Sequence, residues 1–204
     1  MPTRPPPLGR LAAVVLMGGE GRRMGGVDKA LIDLDGRPIL AHALDRLRLQ
    51  VATIALSANG DAARFAPFAL PVLPDPADGP GGPLAGVLAG LAWAALQPDV
   101  AHLLTIPGDG PHPPRDLAAR LLAAAEGGRP AVAVSGFGVE PLHALWPLAR
   151  RADLDRLVAD GVSAPRRALA ALGAVEVAFD DADGFRDVDT PADLAAMRRG
   201  ASGA

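Results

Sequence analysis

Hydrophobic residues fall in short unbroken runs along this chain, and stretches at helical spacing lie between them. Leu11–Leu16 is apolar throughout, the pattern of a parallel strand buried on both faces. Over 38–49 the apolar positions are Ile39, Leu40, Ala43, Leu44 and Leu47, which is the period of a helix with one buried face. Thr53–Ser57 reads as a second strand, 61–65 as a helical turn and 71–73 as a short third strand. Pro83 opens a helix predicted to reach residue 96, because proline at a first helical position loses no hydrogen bond. A fourth strand is expected over 102–106, broken sharply by Pro107-Gly108-Asp109-Gly110-Pro111. A helix over 114–126 is closed by Gly127-Gly128, and Ala131–Ser135 is a fifth strand.

Beyond Ser135 the pattern loses regularity, and only 142–146 reads as a short strand. Helices are expected over 153–160 and 165–172, and a strand over 175–179. The last helix begins at Thr190-Pro191-Ala192-Asp193, with a capping hydroxyl, proline at the first position and an acid in the first turn. Strands alternating with helices predict an α/β fold: three layers, Rossmann-like, with a mainly parallel, mixed sheet covered by helices on both faces. Residues 1–9 are Pro-rich and polar, the composition of a disordered tail, and 10–200 is read as one domain.

Composition narrows the function classes. The chain has 204 residues, half of them hydrophobic, but only 3% are aromatic, so the core is built from Ala, Leu and Val. A net charge of -3 offers no basic surface for nucleic acid. The absence of cysteine excludes disulfides, thiolate metal sites and a Cys nucleophile. No apolar run approaches the roughly 20 residues that span a bilayer. Arg4 and Arg10 precede an apolar run as in a signal peptide, but the run is short and lacks a small-residue cleavage site. A cytoplasmic protein is expected.

Four unusual loops, 17–29, 57–59, 74–82 and 107–111, each follow the carboxyl end of an expected strand. Ligands of open α/β sheets bind beyond those ends. The first loop carries five glycines within 18–26, together with Arg22, Arg23 and Lys29, and so offers an anion cradle suited to polyphosphate. Lys29 is the one lysine of the chain; every other basic residue apart from histidine is arginine. A lysine is a compact charge on a flexible stem, able to follow a phosphate where a planar guanidinium cannot. The Walker motif fails, because Lys29 follows Asp28 and precedes Ala30. The dinucleotide fingerprint fails too, because Met24 stands where its third glycine is needed.

Asp109 follows an apolar strand between two glycines. A lone carboxylate with open positions suits Mg²⁺, which keeps several waters and takes further ligands from substrate phosphates. The alternative is a turn Asp bonding its own backbone. Asn59, the one asparagine, lies just past the second strand. The four histidines show no metal-ligand spacing; His42 and His102 are read as structural, and His112 as bordering the site near Asp109.

Leu16-Met17-Gly18-Gly19, Arg23-Met24-Gly25-Gly26-Val27-Asp28-Lys29-Ala30-Leu31 and Gly36-Arg37-Pro38 together resemble the signature of the molybdenum cofactor guanylyltransferases. The likeness continues at 82–86, 107–111, 114–117 and 185–191. It implies a nucleotidyltransferase that moves GMP from GTP to molybdopterin and releases pyrophosphate. It implies that the backbone of Leu16, Met17, Gly18 and Gly19 holds the nucleotide, that Lys29 with Arg23 neutralises phosphate, and that Asp109 holds magnesium. It further implies that Asp75 contacts the nucleotide and that Ser57 and Asn59 lie against the guanine. A monomer in transient contact with cofactor-carrier proteins is the implied setting.

The family commonly has Ala where this chain has Met17, Asn where it has Ser57, and Asn at the positions of Asp187 and Asp189. Segment 136–146 matches poorly, so no pterin contacts follow from the resemblance. Rival readings are a CTP-using or sugar-phosphate nucleotidyltransferase of the same fold, and a catalytically silent nucleotide-binding regulator.

Overall fold

A computed structural model describes residues 11–17 and 28–201. The strands are β1 (Leu11–Leu16), β2 (Asp33–Leu34), β3 (Arg37–Pro38), β4 (Thr53–Ser57), β5 (Val72–Leu73), β6 (His102–Pro107), β7 (Ala131–Ser135), β8 (Gly138–Pro147) and β9 (Val175–Ala178). The α-helices are α1 (Ile39–Leu47), α2 (Gly82–Ala94), α3 (Leu117–Ala124), α4 (Arg151–Ala159), α5 (Pro165–Ala171) and α6 (Pro191–Ala201). Seven strands form one sheet in the order β5-β4-β1-β6-β8-β7-β9, and β2-β3 is a separate hairpin. β5, β4, β1 and β6 run parallel; β8 is antiparallel to both of its neighbours, and β7 and β9 are parallel to each other.

The unbroken apolar character of β1 follows from its two buried faces. Leu11, Ala13 and Val15 point into a core shared with Leu40, Leu44 and Leu47 of α1 and Leu117 and Leu121 of α3. Ala12, Val14 and Leu16 point the other way, against Leu84, Val87 and Leu91 of α2, Leu154 of α4 and Leu169 of α5. Alternation along a strand with period two produces this division, and the result is the expected three-layer, mixed sheet. α2 approaches the sheet closely through glycine: a Cβ on Gly90 would stand 2.8 Å from Val14 Cγ1 and 2.9 Å from Leu103 Cδ2.

Three elements differ from expectation. The irregular segment after Ser135 is a hairpin, and β8 spans ten residues rather than the short strand predicted over 142–146. Its register jumps from the pair Val132–Ala144 to the pair Ala133–Glu140. The bulge takes up Pro141, which lacks the N–H a regular ladder needs, and this interruption breaks the strand pattern in the sequence. The β2-β3 hairpin was not anticipated. Asp35 and Gly36 turn it with φ of 53° and 83°, the left-handed pair of a tight hairpin turn, for which Asp-Gly is the usual sequence. Helix α3 is also shorter than the predicted 114–126, and a separate 3-10 turn follows it at Glu126–Gly128.

Parallel pairing aligns four strand ends. Leu16 lies opposite both Ser57 and Pro107, and Ser57 lies opposite Leu73. The loops leaving these strands therefore meet on one rim.

Candidate active site

The rim is closed by backbone bonds between its loops. Met17 N donates to Ser57 O (3.0 Å), Gly108 N to Leu16 O (2.9 Å) and Ala58 N to Leu73 O (3.0 Å). A cleft of about 200 Å³ opens above them, walled by Leu16, Met17, Ser57, Asn59, Asp75 and Asp109 among others. Its floor includes the start of α2, where Gly81 and Gly82 take φ of 70° and 61° and Pro83 occupies the first turn. Helix N–H groups there are free to meet a ligand's polar atoms.

Asn59 and Asp75 form a reciprocal pair. Asn59 Nδ2 donates to Asp75 Oδ2 (2.8 Å), and Asp75 N donates to Asn59 Oδ1 (3.0 Å). Ser57 is buried, with its hydroxyl against α2; a Cβ on Gly86 would come within 2.5 Å of it. Glycine at 86 is thus what lets the helix start sit over the ends of β1 and β4. Gly108 does the same for the bulky Met17, whose Sδ lies 2.9 Å from where a Cβ would be.

Lys29 begins a single 3-10 turn, Lys29–Leu31, capped by the Asp28 carboxylate accepting from Ala30 N. Its ammonium reaches across the rim to Asp109 Oδ2 (3.5 Å) and hydrogen-bonds Asp189. The 185–189 segment is docked on the same loop, because Val188 N donates to Asp109 O (2.9 Å). Gly110 leaves room for Asp187, whose Oδ1 would be 3.1 Å from a Cβ there.

These charges act on one another. Burial works to lower the Lys29 pKa, but the hydrogen bond of Asp189 and the charge of Asp109 outweigh it and raise it. Burial raises the Asp109 carboxyl against the opposing pull of Lys29. Asp187 is exposed as a residue, yet its carboxyl is partly desolvated where it faces Gly110. Together with the like charges of Asp109, Asp189 and Glu140, this pushes it up to about 7. One ammonium therefore faces three acids.

Among the described residues no group of three or more His, Cys, Asp or Glu is arranged to hold a metal ion. The donor set still fits magnesium. It is all oxygen, it carries surplus negative charge, and Asp109 is a part-buried carboxylate facing a cleft where substrate phosphates can supply the other ligands.

Arg64 is a contributor no motif announced. It lies in the 3-10 segment Ala62–Phe68, donates Nη2 to Asn59 O (2.8 Å) and Nε to Asp28 Oδ2 (3.2 Å), and stacks on Phe65 at 4.4 Å. It thereby joins the Asn59 loop to the residue preceding Lys29. His112 does not border the cleft. Its ring meets His42 edge-on at 5.9 Å and its carbonyl accepts from Arg46, both in α1, because the chain has turned that way after Asp109 at Gly110 and Pro111. Gly18, Gly19 and Arg23 lie outside the described residues.

Comparison with known proteins agrees with this geometry. A family model described as the MobA-like NTP transferase domain matches residues 13–176. A molybdenum cofactor guanylyltransferase of Acidiphilium cryptum is 50% identical over 193 residues, 93% of this chain and 95% of its own. One from Cereibacter sphaeroides is 48% identical over 186 residues, 91% of this chain and 94% of its own. The crystal structure of molybdopterin-guanine dinucleotide biosynthesis protein A from Archaeoglobus fulgidus superposes with a TM-score of 0.72 at 21% identity, covering 95% of this chain and all of that one.

Proposed function

The chain belongs to the molybdenum cofactor guanylyltransferases, within the MobA-like NTP transferase domains, and on that premise we propose that it transfers GMP from GTP to molybdopterin with release of pyrophosphate. The observation that carries the reading is the meeting of Lys29 and Asp109 at 3.5 Å on the edge of a cleft walled by the ends of β1, β4 and β6.

A terminal phosphate oxygen of molybdopterin forms a bond to the α-phosphorus of GTP as the bond from that phosphorus to the bridging β-phosphate oxygen breaks. Catalysis of this kind is mostly positioning and charge stabilisation. Lys29 holds the phosphates and follows the charge that grows on the departing pyrophosphate, and Arg23 of the glycine-rich loop assists it. Leu16 and Met17, with Gly18 and Gly19, present backbone to the nucleotide. Ser57 and the Asn59–Asp75 pair lie on the side of the base and sugar. Bound magnesium, held by Asp109, would neutralise phosphate charge. Asp109 and the sheet rim fix where that charge sits, and α2, exposed at Gly82 and Pro83 and buried from Leu84 onward, bounds one side of the cleft.

The same reading puts the reaction in the cytoplasm, carried out by a monomer in transient contact with cofactor-carrier proteins. None of the described helices is long and apolar enough to cross a membrane.

Pyrophosphate release tests the proposal. With purified protein, Mg²⁺, molybdopterin and either GTP or CTP, GTP should be the better substrate. Preference for CTP overturns the guanylyl assignment, and no release with either nucleotide overturns the enzyme assignment.

A further inference from the structure

A second groove, of about 430 Å³, lies beside the cleft and shares Asp187 with it. Its walls come from the β7-β8 hairpin, the 185–189 segment and α6, and they include Phe137, Glu140, Phe185, Arg186, Asp189 and Asp193. Asp189 also bonds Lys29, whose ammonium meets Asp109 on the wall of the first cleft.

Two features of this groove call for a ligand. Phe137 is 65% exposed at the hairpin tip, an unusual place for a large aromatic ring in a chain with only five phenylalanines. Its backbone is fixed beside the carboxylate: Phe137 N donates to Ser135 Oγ (3.0 Å), and the same hydroxyl donates to Glu140 Oε1 (2.5 Å). A flat apolar face and an oriented carboxylate are thereby tied together. The charge is one-sided as well. Glu140, Asp187, Asp189 and Asp193 stand against Arg186, which is already engaged by Asp183 at 3.0 Å. Such a groove repels phosphate and favours a group rich in N–H donors.

We propose that this groove takes the acceptor's fused heteroaromatic ring, with Phe137 stacked on its face and Glu140 accepting from its amino and ring N–H edge. The inference rests on the guanylyl-transfer reading for the identity of the acceptor. It adds the acceptor's orientation: the acid-lined groove turns the phosphate end away and towards Lys29, where the nucleotide's α-phosphorus must lie. A 2-amino-4-oxo pyrimidine edge presents adjacent donors that a carboxylate accepts as a pair, and stacking on an aromatic ring adds affinity without demanding charge.

Fluorescence titration of the full chain with 6-hydroxymethylpterin, paired with the KM for molybdopterin and calorimetry of GTP, tests this. Phe137→Ala and Glu140→Gln should each weaken pterin binding and raise the acceptor KM roughly tenfold or more. They should leave GTP affinity within about twofold and kcat at saturating acceptor little changed. If both variants keep the wild-type acceptor KM and pterin affinity, the groove assignment is wrong even where GMP transfer is seen. If the wild type binds the pterin through Phe137 and Glu140 but transfers no GMP, the groove stands and the guanylyl-transfer reading fails. A wild type that does not bind the pterin overturns the proposal.

Discussion

The Lys29 ammonium stands 3.5 Å from the Asp109 carboxylate, although 80 residues of chain separate them. The pair exists because β1 and β6 are neighbouring parallel strands whose ends lie in register at Leu16 and Pro107. Each side chain is about one-fifth exposed, so both remain accessible to a ligand. A triphosphate entering the cleft would exchange this contact for charge-assisted bonds of its own to each partner.

Lys29→Ala should lower the rate of GMP transfer by roughly 10²–10³-fold, the scale of removing one preorganised donor at a developing charge. Lys29→Arg should recover little, because the planar fork is larger and cannot pass between Asp109 and Asp189 as the ammonium does. Single-turnover kinetics at saturating substrates checks this, and a wild-type rate in Lys29→Ala would remove the lysine from the mechanism.

Arg64 bridges Asn59 and Asp28 and so connects the loop on the cleft wall to the residue preceding Lys29. Arg64→Ala should raise the KM for GTP about tenfold and narrow the preference for GTP over CTP. Lys at this position reaches one partner at a time and should restore only part of the loss. Thermal unfolding run alongside separates this from a general loss of fold: the change in nucleotide preference must exceed any change seen in Arg156→Ala, an exposed arginine whose partners Ala152 and Asp153 lie in its own helix α4.

Asp187 ties pH to the stability of the ligand-free protein. Its folded pKa of about 7 lies above the unfolded 3.8, so between those values the folded state binds the extra proton. The stability this contributes is complete below the unfolded value and is lost as pH rises through about 7. Asp187→Asn should therefore raise the melting temperature at pH 8 and change it little at pH 4. A variant whose effect is equal at both would show that Asp187 titrates normally.

His143, buried in β8 with its ring edge-on to Phe185 at 4.9 Å, acts at lower pH. Burial drops its pKa from 6.5 to about 3. Between those values the unfolded chain takes up a proton that the folded chain refuses, so stability is full above 6.5 and declines as pH falls towards 3. His143→Leu should flatten that decline, measured as urea midpoints across the window. An unchanged slope would assign acid sensitivity elsewhere.

Much of this architecture was legible in the pattern of apolar residues. A strand buried on both faces cannot alternate, and Leu11–Leu16 shows that directly. The convergence of Met17, Ser57, Asn59, Asp75 and Asp109 followed from the rule that parallel strand ends share a rim, and the structure brings these residues to one cleft. The hairpin of β7 and β8 was hidden because its bulge hides Pro141 from the ladder and breaks the period. Arg64 and the Phe137–Glu140 groove were not visible because their partners lie in other elements, and no local spacing records a long-range contact. His112 was misplaced for a simpler reason: closeness in sequence to Asp109 says nothing about direction when Gly110 and Pro111 turn the chain between the two residues.

Calorimetry of GTP binding with and without Mg²⁺, on the wild type and on Asp109→Asn, tests the central claim most directly. The wild type should bind GTP at least tenfold more tightly with Mg²⁺ present, and Asp109→Asn should lose that gain while keeping metal-free affinity. A variant that retains the full magnesium-dependent gain would contradict the placement of the triphosphate between Lys29 and Asp109.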